Sequence, residues 1–200
     1  MNMYDKNDVE IVASEPLYKG FFKCNKLTIR HKLFSGEWNQ PIQRECFERG
    51  KAAALLAYDK KLDTVVLVEQ FRLGAMDSPR SPWLLELIAG MIDEGQTAKQ
   101  TVLREAYEEA GLAVDDCQFM LSYYVSPGGS TETVDLFIAN VDSSNVQGVF
   151  GLADEGEDIR VHVVAREEAY QWVTSGKIDN AITIIGLQWL QLNYKDGLNI

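Results

Sequence analysis

The chain has 200 residues, 46% of them hydrophobic and 24% charged, enough for one substantial buried core in a soluble protein. Its formal net charge of -11 excludes a general nucleic-acid binder, because phosphate backbones are held by clustered Lys and Arg and no basic stripe is present. The apolar runs 52–57 and 65–68 are far too short to cross a bilayer, and Asp5, Lys6, Asp8 and Glu10 stand where a signal peptide needs an apolar stretch, so a cytoplasmic protein with no membrane partner is expected.

In chain order, extended segments are predicted over 26–33, 43–47, 52–58 and 64–70, separated by the turn signals Ser35-Gly36 and 60–63. A strand over 83–88 leads to a helix after Gly95, then strands over 117–125, 133–139 and 158–164, and helices over 166–175 and 181–194. Strands flanked by helices in this order predict an α/β sandwich, and no repeat or low-complexity linker interrupts it. The cysteines Cys24, Cys46 and Cys117 lie far apart with no CxxC pair, so they read as free thiols used for packing.

The helix after Gly95 is the best specified. Thr97 followed three residues later by Gln100 makes a capping box, and Gly111 supplies the stop. Leu103, Ala106, Tyr107 and Ala110 recur at helical spacing and are expected to face the core, leaving Arg104, Glu105, Glu108 and Glu109 largely on the other side. Three carboxylates at i, i+3 and i+4 repel one another, and Arg104 neutralises only part of that charge. Oxygen donors with no His or Cys nearby suit a hard cation such as magnesium, which also gives an acidic protein a means to grip an anionic substrate.

The surroundings of these acids carry a longer pattern. Gly90 is followed after five residues by Gln96, and after seven more by Arg104-Glu105-Ala106-Tyr107-Glu108-Glu109-Ala110-Gly111-Leu112. This resembles the Nudix box at every fixed position except one, since Gln96 stands where the first glutamate is expected, keeping an acceptor but losing a charge. The resemblance implies a Nudix-type α/β/α sandwich with a mixed sheet and a metal site formed by Glu105, Glu109 and the backbone of Ala89, with Glu108 in support. Magnesium is the implied ion, with manganese able to substitute.

Beyond the box nearly the whole chain looks like the ADP-ribose pyrophosphatase branch of that family. Pro127, in Ser126-Pro127-Gly128-Gly129, lies fifteen residues past Leu112, close to a proline that marks the branch. The acidic loop Gly151-Leu152-Ala153-Asp154-Glu155-Gly156-Glu157-Asp158 is similar to one that supplies the base, which implies Glu155 as proton acceptor and Glu157 as a further metal ligand. Arg44 and Arg72 are chosen for the substrate diphosphate because a planar guanidinium pairs with phosphate oxygens, and Glu45 beside Arg44 is grouped with them. Glu132 is similar in position to a carboxylate near the terminal ribose, and Phe21, with Phe22 as the alternative, offers an aromatic face for adenine.

In the branch, N-terminal strands exchange between subunits. The resemblance therefore implies an antiparallel strand region over 1–50 used for dimerisation and a hydrolase domain over 51–200. The implied reaction is hydrolysis of ADP-ribose to AMP and ribose 5-phosphate by metal-activated water. Another nucleotide sugar such as GDP-mannose is the alternative substrate. A non-catalytic nucleotide-sugar sensor ranks below both, because the acidic triad is intact.

Overall fold

A computed structural model describes residues 4–196, 198 and 200, without the side chains of Glu155 and Asp196. The chain forms two compact units, one made of the residues up to Gly50 together with Tyr124–Thr133, the other of Lys51–Tyr123 and Val134–Ile200.

In the first unit, strands β1 (Val9–Lys19), β2 (Lys23–His31) and β3 (Ile42–Glu48) form an antiparallel sheet in the order β1-β2-β3. The sequence reading placed no strand at β1, and the reason lies in its irregularity. Two register shifts, between Ile11 and Ala13 and between Pro16 and Tyr18, break the alternation, and Pro16 is tolerated because β1 is an edge strand. Every residue of β1 is exposed. The 126–130 turn belongs to this unit. Phe47 donates its N–H to the Gly129 carbonyl at 2.8 Å, and Thr131 donates to the Phe47 carbonyl at 3.0 Å.

The second unit contains β4 (Lys51–Asp59), β5 (Thr64–Phe71), β6 (Trp83–Glu86), β7 (Ile88–Met91), helix α1 (Ala98–Ala110), β8 (Gln118–Tyr124), β9 (Thr133–Asn140), β10 (Val149–Phe150), β11 (Ile159–Ala165), and helices α2 (Arg166–Thr174) and α3 (Ala181–Asn193). The sheet order is β10-β11-β5-β4-β9-β8, with β6 on β5 and β7 on β4. β4 and β5 pair with each other only over 57–59 and 64–66. Beyond that they part, and β6 pairs with residues 68–71 of β5 while β7 pairs with residues 52–55 of β4. The strand expected over 83–88 is therefore two strands serving different neighbours, a division that periodicity does not reveal.

Alternation along the buried strands feeds two cores. Ala53, Leu55, Ala57, Val66 and Val68 pack with Val102, Ala106 and Ala110 of α1. Ala54, Leu56, Val65 and Leu67 pack instead with Ala169 of α2 and Leu187 and Leu190 of α3. Helices thus cover both faces of the sheet, the expected α/β/α sandwich. Among the described residues, no helix is long and apolar enough to cross a membrane.

Candidate active site

α1 is delimited as its sequence dictates. The Thr97 side chain accepts from the Gln100 N–H, the Gln100 side chain accepts from the Thr97 N–H at 2.9 Å, and Gly111 closes the helix in the left-handed region with φ 64°. Its inner face differs from the expected one. Tyr107, placed in the core by its spacing, is 68% exposed, whereas Glu109 is buried. The inward stripe runs through Val102, Ala106, Glu109 and Ala110, so Tyr107 lies off it and a carboxylate enters the core.

Glu109 enters with partners. Its Oε2 accepts from the Ala89 N–H at 3.0 Å, and its Oε1 accepts from Gln70 Nε2 at 3.4 Å. Burial pushes its carboxyl up to about 8, with the like charges of Glu105 and Glu157 adding to the rise while the Ala89 amide and Arg72 oppose it. Glu105 is raised for the same leading reason, burial, against the pull of Arg104.

Gly90 on β7 explains how Glu105 fits. A Cβ at that position would stand 1.8 Å from Glu105 Oε1, so the carboxylate crosses the strand only because the residue is glycine. Arg104 joins the acids: Nη2 lies 2.9 Å from Glu105 Oε1 and 3.6 Å from Asp93 Oδ2, and Nη1 lies 2.5 Å from Glu108 Oε2. Among the described residues no three His, Cys, Asp or Glu side chains stand together as a ready-made metal cluster. The donors are nonetheless oxygen only, and buried carboxylates that burial holds towards the proton are the groups a hard cation would neutralise. The residues fit magnesium by chemistry.

The acidic loop is tied to the same helix. Gly151 donates its N–H to the Glu108 carbonyl at 3.2 Å, and Glu157 Oε2 accepts from the Leu152 N–H at 3.1 Å, folding the loop back on itself. Glu157 acts on Glu105 and Glu109 through its charge. Glu155 ends a short 3-10 turn, Ala153–Glu155, and its side chain lies outside the described residues.

Arg72, just past β5, donates from Nε to Glu86 Oε2 at 2.8 Å. Gln96, at the altered box position, accepts from the Thr101 hydroxyl at 3.3 Å and so braces the first turn of α1. Three further residues around this face carried no role in the sequence reading: Gln70, Glu86 and Asp93. The available signal was a lone charge, Glu86, within the apolar stretch Trp83-Leu84-Leu85-Glu86-Leu87-Ile88.

The other predicted binding residues lie in the first unit. Glu132 is buried and paired with Arg49, whose guanidinium also lies over the Phe22 ring at 5.5 Å. Phe22 packs on Phe47 with ring centroids 5.2 Å apart, which gives Phe22 the packing use and leaves Phe21 90% exposed. Arg44 and Glu45 are exposed neighbours on β3, and Arg44 donates to the Gln43 carbonyl at 2.7 Å. Cys24, Cys46 and Cys117 are free thiols, of which Cys117 is buried.

Comparison with known proteins matches residues 48–183 to the NUDIX domain. The chain is 53% identical over 192 residues to an ADP-ribose pyrophosphatase of Escherichia coli (strain K12), covering 96% of this chain and 92% of that one. It is 51% identical over 194 residues to an ADP-ribose pyrophosphatase of Haemophilus influenzae, covering 96% and 89%. A GDP-mannose pyrophosphatase of Yersinia pestis is 36% identical over 188 residues, covering 93% of each chain.

Proposed function

This chain belongs to the NUDIX domain family, and from that premise we propose that it hydrolyses ADP-ribose to AMP and ribose 5-phosphate. The single observation that carries the proposal is the buried carboxylate face of α1, with Glu109 held by Ala89 and Gln70 and Glu105 laid across Gly90, in a chain 53% identical to an ADP-ribose pyrophosphatase. The 36% identity to a GDP-mannose pyrophosphatase keeps that substrate as the alternative.

Glu105, Glu109 and the Ala89 backbone would hold a divalent ion, magnesium or manganese, with Glu157 as a further ligand and Glu108 in support. When bound, such an ion neutralises diphosphate charge and acidifies water. The chain does the rest. Arg72 and Arg44 bind diphosphate oxygens, with Glu45 beside Arg44, Phe21 offers a face to adenine and Glu132 stands by the terminal ribose. Glu155 accepts the proton of the attacking water. The water oxygen bonds to one phosphorus as the bridging P–O bond breaks, and the bridging oxygen leaves on the other phosphate.

We place the enzyme in the cytoplasm as a homodimer. β1 exposes Val9, Ile11, Val12, Leu17 and Tyr18 along an edge strand of only three, a surface suited to cover by a second copy. Product analysis tests the catalytic reading: ADP-ribose incubated with the protein and magnesium should yield AMP and ribose 5-phosphate, and EDTA should abolish both. Absence of turnover with magnesium or manganese would remove the proposal.

A further inference from the structure

The segment 83–91 changes neighbours at Leu87, which belongs to neither β6 nor β7. Glu86 before it is the last residue paired to β5, and Ile88 after it is the first paired to β4. Such a break takes backbone groups out of the ladders, and where they are buried they must find other partners. Leu87 is buried, and its N–H donates to Thr183 Oγ1 at 3.0 Å. The Leu85 carbonyl accepts from Asn180 Nδ2 at 2.8 Å. Both partners come from the start of α3.

Asn180, Thr183 and Gly186 recur at three-residue spacing and so lie along one side of α3. Asn180 uses both ends of its amide: Oδ1 accepts from the Thr183 N–H at 3.1 Å and caps the helix, while Nδ2 reaches the strand. Thr183 is fully buried. At Gly186 a Cβ would stand 2.7 Å from Leu87 Cδ1, so the glycine makes room for the side chain at the break. Two residues past Leu87, Ala89 pairs with Ala54 of β4 and donates its N–H to Glu109 Oε2 at 3.0 Å. The backbone over 85–89 is therefore held by α3 at one end and by the carboxylate of α1 at the other. Valine at position 183 keeps the shape of threonine and removes the acceptor, so the buried Leu87 N–H loses its partner unless the break shifts.

We propose that Thr183 and Asn180 are positioning residues for the metal site. From the side of the sheet that α3 covers, they fix the β6–β7 break and thereby place the Ala89 backbone. The inference rests on the role given to Ala89 and Glu109 above. Neither α3 residue touches the ion or the substrate; each acts through the strand, as a group outside a metal's own ligands orients those ligands.

The test measures the dissociation constant of Mn2+ by electron paramagnetic resonance, together with kcat and melting temperature, in Thr183→Val, Thr183→Ser and Asn180→Ser. Thr183→Val should weaken Mn2+ about 10-fold and lower kcat to a similar extent, the scale seen when such supporting partners are removed. Thr183→Ser keeps the hydroxyl and should stay within about 2-fold of the unaltered protein. Asn180→Ser keeps a helix-capping oxygen but loses the amide donor to Leu85, so it should weaken Mn2+ in the same direction, and it carries the test if Thr183→Val does not fold. Arg166→Ala, which loosens the same side of the sheet without touching the break, is the control for general destabilisation. Mn2+ affinity unchanged in the folded Thr183→Val and Asn180→Ser proteins overturns the inference, as does equal weakening in Arg166→Ala. Glu109→Gln separates this failure from that of the underlying site. Unchanged Mn2+ affinity in Glu109→Gln overturns the metal assignment itself, whereas weakening there with none in Thr183→Val overturns only the role of α3.

Discussion

Replacing Glu109 by glutamine should flatten the pH dependence of folding stability in the metal-free protein. Burial lifts the Glu109 carboxyl from its ordinary 4.5 to about 8, so the folded state holds this proton more tightly than the unfolded chain does. The stabilisation is complete below 4.5 and disappears as pH rises through about 8. The difference between those two values corresponds to on the order of 5 kcal/mol, an upper figure because water entry relieves a buried charge. Glutamine keeps the shape and can still accept from the Ala89 N–H, but it does not titrate. Urea unfolding in EDTA at about pH 5.5, 7 and 8.5 reads the effect. The unaltered protein should lose several kcal/mol more than Glu109→Gln across that range. Glu105 and Glu86, also raised by burial, leave a residual slope common to both proteins. Magnesium at the high end should restore the unaltered protein and not the variant, since a ligand of the folded state alone stabilises it. Parallel pH curves in EDTA would refute the reasoning.

Other perturbations reach different parts of the account. Gly90→Ala puts a methyl group 1.8 Å from Glu105 Oε1, so Mn2+ affinity should fall by roughly 10-fold or more, and unchanged binding would show that Glu105 is not a ligand. Glu155→Gln should lower kcat by about 100-fold or more while Mn2+ still binds, and an unaltered kcat removes it as the base. Arg166→Ala should cost about 3 kcal/mol in urea unfolding with kcat/KM unchanged. Arg166 is buried against Tyr194 at 3.6 Å and grips Asp63 through Nε at 2.8 Å and Nη2 at 3.0 Å, on the side of the sheet covered by α2 and α3. A loss below about 0.5 kcal/mol would reduce that cluster to surface ion pairing.

Local signals were the legible ones. Thr97, Gln100 and Gly111 fix the ends of α1 through backbone hydrogen bonds that the sequence writes out, and continuous apolar runs mark β4 and β5 because both faces of those strands are covered. The carboxylates of α1 were legible as a group, but the burial of Glu109 was not. Helical spacing gives the angle between residues and not the angle of the core, and Tyr107 offered an equally good apolar stripe. β1 was hidden because its two bulges and Pro16 destroy the alternation by which strands are read. The ion pair of Arg72 with Glu86 depends on register between β5 and β6, which brings together residues 14 apart in the chain. No local pattern encodes that pairing.

Substrate choice tests the central claim most directly, through kcat/KM for ADP-ribose and for GDP-mannose measured side by side with magnesium. The account predicts a preference for ADP-ribose of at least about 100-fold, the order of discrimination reached by a pocket shaped to one substrate. Equal rates, or a preference for GDP-mannose, would contradict it.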